Sequence, residues 1–205
     1  MTRYYVNGRE VEVASEFASF DQMLKQIEDR FLEPTAIIRE VHVNGSPVAP
    51  ELLHNDNRNS GQTSEWEKIE IFTGTLAEIA AESIAGARDY LIKVENAAPA
   101  LAVKFQDFPE PEDFGSLGSL CEGFYFLSML LEKLANGYQL KFNEIIVRGT
   151  SVADHLQKFA GIVKQLNEAQ EKQEYLLIAD TIEYEILPIV PVWNDIFEAV
   201  SQKVG

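Results

Sequence analysis

Cysteine occurs once in this chain, at Cys121, and histidine three times. One thiol excludes a disulfide framework and the thiolate-rich zinc and iron–sulfur sites, which need several cysteines. Cationic residues are also short: 17 Lys and Arg stand against 33 Asp and Glu, a net charge of −16 over 205 residues. A nucleic-acid binder needs clustered Lys and Arg to neutralise phosphates, so that class is excluded as well. The opening MTRYYVNGRE lacks the apolar core of a signal peptide. No stretch reaches the roughly 18 consecutive apolar residues expected of a membrane span. A cytosolic protein with no membrane association is the expectation, and its 46% hydrophobic content is ordinary for a folded domain.

What is present divides into two parts with different periods. Over residues 1–74, Tyr4 and Val6 alternate up to Asn7-Gly8, and Val11 and Val13 follow. Asn-Gly accepts the positive φ angles of a type I′ turn, so this predicts a hairpin. Ser19 or Asp21 can cap a helix on which Phe20, Met23, Leu24, Ile27 and Phe31 share one face, ending at Pro34. A β-branched run, Ile37, Ile38, Val41 and Val43, leads to a second Asn-Gly at Asn44-Gly45, with a short strand near Val48. Residues 54–65, HNDNRNSGQTSE, are polar and aperiodic and predict a loop. Trp66, Ile69, Ile71 and Phe72 predict a last strand, stopping at Thr73-Gly74 and pairing with the first at the middle of a mixed sheet.

Three segments carry a family resemblance: Tyr5-Val6-Asn7-Gly8-Arg9-Glu10-Val11, Val43-Asn44-Gly45-Ser46-Pro47-Val48 and Glu67-Lys68-Ile69-Glu70-Ile71-Phe72-Thr73. With them, the first third of the chain resembles the β-grasp, or ubiquitin-like, sulfur carriers of thiamin and molybdopterin biosynthesis. The resemblance implies that fold. The carrier activity it implies needs a free C-terminal Gly-Gly, whereas here Thr73-Gly74-Thr75 runs on into Leu76. Carrier chemistry would require cleavage after Gly74. A reused scaffold often keeps its fold without its activity.

From Thr75 onward the period becomes helical. Thr75 and Glu78 form a capping-box pattern, followed by Ile79, Ile84, Ala87, Leu91 and Val94, with Pro99 expected to end or kink the helix. An acidic connection at 106–115 precedes a second helix bearing Leu117, Leu120, Phe124, Leu127, Leu131 and Leu134, stopped by Asn136-Gly137. A third helical piece is expected from Leu140, interrupted at Gly149 and restarted at Ser151 and Asp154. The last runs over about residues 172–203, with Ile178, Ile182, Ile186, Ile189, Trp193, Ile196 and Val200 on one face and a kink at Pro188 and Pro191. Four apolar-faced helices predict a bundle. Residues 1–74 carry 7 cationic and 13 anionic side chains and residues 75–205 carry 10 and 20, so both parts are acidic.

Few constellations suggest chemistry. Glu174, Asp180, Glu183 and Glu185 resemble a carboxylate metal set, but neither His42 nor His155 has a Glu three residues before it, and His54, which follows Glu51 at that spacing, lies in the N-terminal part and not on a bundle helix. Asp180 and Glu183 turn away from the isoleucine face, so a solvated surface is expected. Cys121 lies on an apolar stripe and reads as a core residue rather than a nucleophile, and His155 reads as a part-buried structural histidine. Gly115, Gly118 and Gly123 lack the Gly-Lys-Ser/Thr of a phosphate loop; close helix approach or a flexible helix start is expected of them. Phe124, Tyr125, Phe126 and Met129 go nearly round their helix; for them and for Trp193 and Phe197 core packing is the default, and the same six residues are the candidate interaction surface.

The fold class expected is therefore α+β: an N-terminal β-grasp unit over residues 1–74 and a helical bundle of about four helices over 75–205. The expected function is a non-enzymatic protein-interaction or assembly module of a bacterial-type cytosol, binding protein partners or forming a homodimer, with no cofactor, nucleic acid or membrane. The alternative is a small-molecule binder or enzyme with a pocket between the two units, using Tyr90, Tyr125, His155, Asp180 and Tyr184.

Overall fold

A computed structural model describes residues 2–13, 17, 19–48 and 66–204. The loop expected at 54–65, with His54, lies outside the described residues. The chain is mixed α+β and 66% helical. It divides into two compact units, Met1–Ile79 and Ala80–Gly205, five residues beyond the boundary expected at 74.

The N-terminal unit runs β1 (Arg3–Val6), β2 (Arg9–Val11), α1 (Phe20–Phe31), β3 (Ala36–Val43), β4 (Ser46–Pro47) and β5 (Lys68–Thr75). The sheet order is β2-β1-β5-β3-β4, with β1 parallel to β5 and the other neighbours antiparallel. Asn7-Gly8 turns the first hairpin at φ +47° and +79°, and Asn44-Gly45 the second at +52° and +82°. Both asparagines also tie their turns to β5. Asn7 Oδ1 accepts the Thr73 N–H at 2.9 Å, and Asn44 Oδ1 accepts the N–H groups of Glu67 and Lys68 at 2.9 and 3.0 Å. Ser19 caps α1 by accepting the Gln22 N–H at 3.1 Å. Met23, Leu24 and Ile27 of α1 are buried together with Val6, Val41, Ile69 and Ile71 of the sheet.

Thr75 ends β5 and opens α2 (Leu76–Gln106) through the expected capping box: Thr75 Oγ1 accepts the Glu78 N–H, and Glu78 Oε2 accepts the Thr75 N–H. Pro99 does not end α2. Its missing N–H frees one carbonyl, while alanines at 97, 98, 100 and 102 favour helix on both sides. Pro111 then starts α3 (Pro111–Tyr138), where Asp113 Oδ2 accepts the Glu110 N–H at 2.8 Å. Asn136-Gly137 does not stop α3 either; the left-handed residue is Gln139, at φ +54°.

No helix forms over 140–151, contrary to expectation. Ile146–Val147 (β6) and Thr150–Ser151 (β7) make a small hairpin, turned by Arg148 and Gly149 at φ +50° and +82°. The β-branched run Ile145-Ile146-Val147 suits that strand, with Ile145 and Val147 buried. Ser151 caps α4 (Val152–Glu171).

The last helix is continuous over 175–204: α5 (Tyr175–Thr181), a π-helical segment (Ile182–Ile186) and α6 (Leu187–Val204). The Leu187 N–H bonds Ile182 O, five residues back, just before Pro188 removes a donor. All seven residues of the expected face, from Ile178 to Val200, are buried. Trp193 is the centre of this core, with Phe124 and Phe159 each 5.4 Å from it and Phe197 at 6.3 Å.

Candidate functional site

Phe124, Trp193 and Phe197 are fully buried, so half of the expected interaction surface is core. The helical period decides this. Phe124 falls on the face shared with Leu117, Leu120, Leu127, Leu131 and Leu134, all buried, whereas Tyr125, Phe126 and Met129 fall opposite. Tyr125 and Phe126 are 67% and 66% exposed, too much for core residues of that size. The outward face of α3 has two halves: Gly115, Gly118 and Ser119 before Glu122, and the aromatics with Met129 after it. A Cβ on Gly115 or Gly118 would meet nothing within 4 Å, so neither glycine serves a close helix approach. Beside them lies an apolar groove of about 390 Å³ between α2 and α3. Ala97, Leu101 and Leu120 line it, with Lys93 and Lys104 at its rim. Neither lysine makes an ion pair among the described residues.

Gly123 does permit a close approach. A Cβ there would overlap the hydroxyl and ring of Tyr90, which reaches across from α2 to donate to Leu120 O at 3.4 Å. Gly123→Ala should therefore destabilise despite the better helix former: displacing Tyr90 costs about 1–3 kcal/mol, against a gain of about 1 kcal/mol from helix propensity. In a Tyr90→Ala background the same change should become stabilising. Chemical denaturation of the four proteins checks this, and unchanged sign in the second background would remove Tyr90 as the cause.

α3 is also, by length and composition, apolar enough to cross a membrane, with an 18-residue window of mean hydropathy 1.3, of which 28% is buried. It contains no uninterrupted apolar run of that length, because glycines and serines separate its apolar residues.

A second cavity of about 410 Å³ lies at the π-helical segment, lined by Asp154, His155, Lys158, Tyr184 and Glu185. The structure thus brings His155 and Tyr184 together; Asp180, Tyr90 and Tyr125 do not line this cavity. Most of its polar atoms are committed. His155 Nε2 lies 3.0 Å from Val147 O, Asp154 accepts from Ser151 Oγ at 2.6 Å, and Lys158 sits 3.9 Å from Glu185. The charge of Glu183 and its hydrogen bond, with the charge of Asp180, keep Tyr184 in its phenol form to higher pH than usual. Thr150 lines the cavity without bonding His155, so no nucleophile–base pair forms. Among the described residues no group of three or more His, Cys, Asp or Glu is placed to hold a metal ion. Asp180 is exposed and Glu183 half-buried, accepting from Gln106 at 3.3 Å.

Cys121 is half-buried on α3. Burial and then the Glu122 charge raise its thiol above the usual range, the opposite of an activated cysteine. Alkylation at neutral pH should be several-fold slower in the folded protein than in denaturant; equal rates would show the thiol to be exposed.

The family described as Domain of unknown function (DUF8042) matches residues 82–196, more than half of the chain. The chain belongs to that family. The DUF8042 region falls within the helical unit and contains both cavities and the outward face of α3. No curated protein and no solved structure matches the chain. Sequence reasoning missed the lysine-rimmed groove, since its two walls lie on different helices, 9 to 30 residues apart, and include several small residues. It also missed the π-helical segment; two nearby prolines are the only local signal.

Proposed function

We propose that this chain is a non-enzymatic protein-interaction module of the bacterial cytosol, acting through the outward face of α3. The observation that carries the reading is the exposure of Tyr125, Phe126 and Met129 on one face beside an apolar groove. Aromatics and Met are enriched in interfaces, and an isolated pair of exposed rings gains nothing for a monomer. We read the N-terminal unit as a β-grasp. The parallel β1–β5 pair at the sheet centre and the α1 crossover between β2 and β3 support this. Gly74 is internal to that unit's last strand, so the reading includes no sulfur-carrier step.

The test is a photo-crosslinking residue at Phe126, in the source cells, against the same residue at exposed Lys172. A protein adduct specific to position 126 is expected. Absence of any adduct at 126 would overturn the reading. A second reading, a small-molecule binder, is favoured by the polar cavity at the π-helical segment, since such segments recur at functional sites. A defined small molecule retained through purification and lost in His155→Ala would put that reading first.

A further inference from the structure

We infer that the outward face of α3 docks on the same face of a second copy, with the two α3 helices antiparallel about a two-fold axis at Glu122. This rests on the interaction reading above and names its partner. The face is self-complementary. Gly118 and Phe126 lie four residues either side of Glu122, Ser119 and Tyr125 three, and Gly115 and Met129 seven. In an isologous contact residue i meets j while j meets i. Each large side chain of one copy therefore meets a small residue of the other, three times over. The open space above Gly115 and Gly118, and the groove beside Ser119, are where those side chains go.

Charge follows the same register. Glu122 is exposed on the axis and makes no ion pair among the described residues. Two glutamates meeting there would repel, but Lys93 lines the groove with Ser119 and Leu120, which lie within one turn of Glu122, and it makes no ion pair among the described residues. Glu122 of one copy answers Lys93 of the other, twice. The rings of both copies and the surfaces they cover amount to on the order of 1,000 Å², the size a specific interface needs. A lipid surface fits less well: the opposite face of α3 is committed to the core, and a chain of net charge −16 is repelled by anionic lipid.

Sedimentation velocity on the full chain is expected to show a concentration-dependent dimer. Phe126→Glu should weaken it at least tenfold with unchanged far-UV circular dichroism. Lys93→Glu and Glu122→Lys should each weaken it, and their combination should restore it. In a Cys121→Ser background, Glu122→Cys should oxidise to a disulfide dimer by itself. Gly118→Cys and Phe126→Cys should cross-link only when mixed. A chain that stays monomeric, cysteines that cross-link no better than Lys172→Cys, or flotation with phosphatidylcholine vesicles in place of dimerisation would each overturn the inference. If the chain is monomeric but a different protein is captured at position 126, the second copy falls and the interaction reading stands. If nothing is captured there, both fall.

Discussion

Trp193→Ala is expected to cost the helical unit about 3–5 kcal/mol, the range for removing a fully buried large aromatic. Its ring is within 5.4 Å of both Phe124 and Phe159, which themselves meet at 4.8 Å. Those two rings come from α3 and α4, and Phe197 from α6, so one cavity would loosen three helices at once. Trp193→Phe should cost much less. The indole Nε1 is buried without a hydrogen-bond partner, and an unpaired buried donor costs about 1–3 kcal/mol that phenylalanine avoids. Urea denaturation followed by far-UV circular dichroism separates the variants. A loss below about 1 kcal/mol for Trp193→Ala would show that this cluster does not hold the helices together.

Ile27→Ala should have the second-largest effect, about 2–5 kcal/mol on the N-terminal unit. Ile27 is 0% exposed and belongs to a cluster of seven buried residues among those described, so removing its side chain opens a cavity in a small core. At about 0.05–0.15 kcal/mol per residue, a unit of this size has about 4–12 kcal/mol of stability, so the loss is a large share of it. Trp66 is a local reporter, since its ring packs edge-on against Phe20 of α1 at 5.3 Å. Its fluorescence should reach the unfolded value at lower urea than in the parent, in a background carrying Trp193→Phe to silence the other indole. An unmoved midpoint would mean that α1 contributes little to the stability of the sheet.

How much was legible depended on whether the cause was local. Ser19, Ser151 and the Thr75–Glu78 pair cap helices through contacts three residues long, and both Asn-Gly pairs turn through their own φ angles. Such signals are visible in the order of residues. Pro99 and Asn136-Gly137 misled because a long helix packed along one face outweighs a single unfavourable residue. The 140–151 stretch misled in the other direction: its apolar spacing allows either helix or strand, and the left-handed pair Arg148-Gly149 decides for a hairpin.

The candidate site shows the same division within four residues. By itself, the sequence determined that Phe124, Tyr125, Phe126 and Met129 make an apolar ring around one helix, and that no strong catalytic motif accompanies it. It also determined two acidic parts and the period change near Thr75. Only the tertiary structure decided which arc of the ring is covered. Phe159 and Trp193, 35 and 69 residues away in the chain, close over Phe124, while small side chains on α2 leave a groove open beside Ser119. Burial is a property of what lies opposite, and what lies opposite α3 comes from helices distant in sequence.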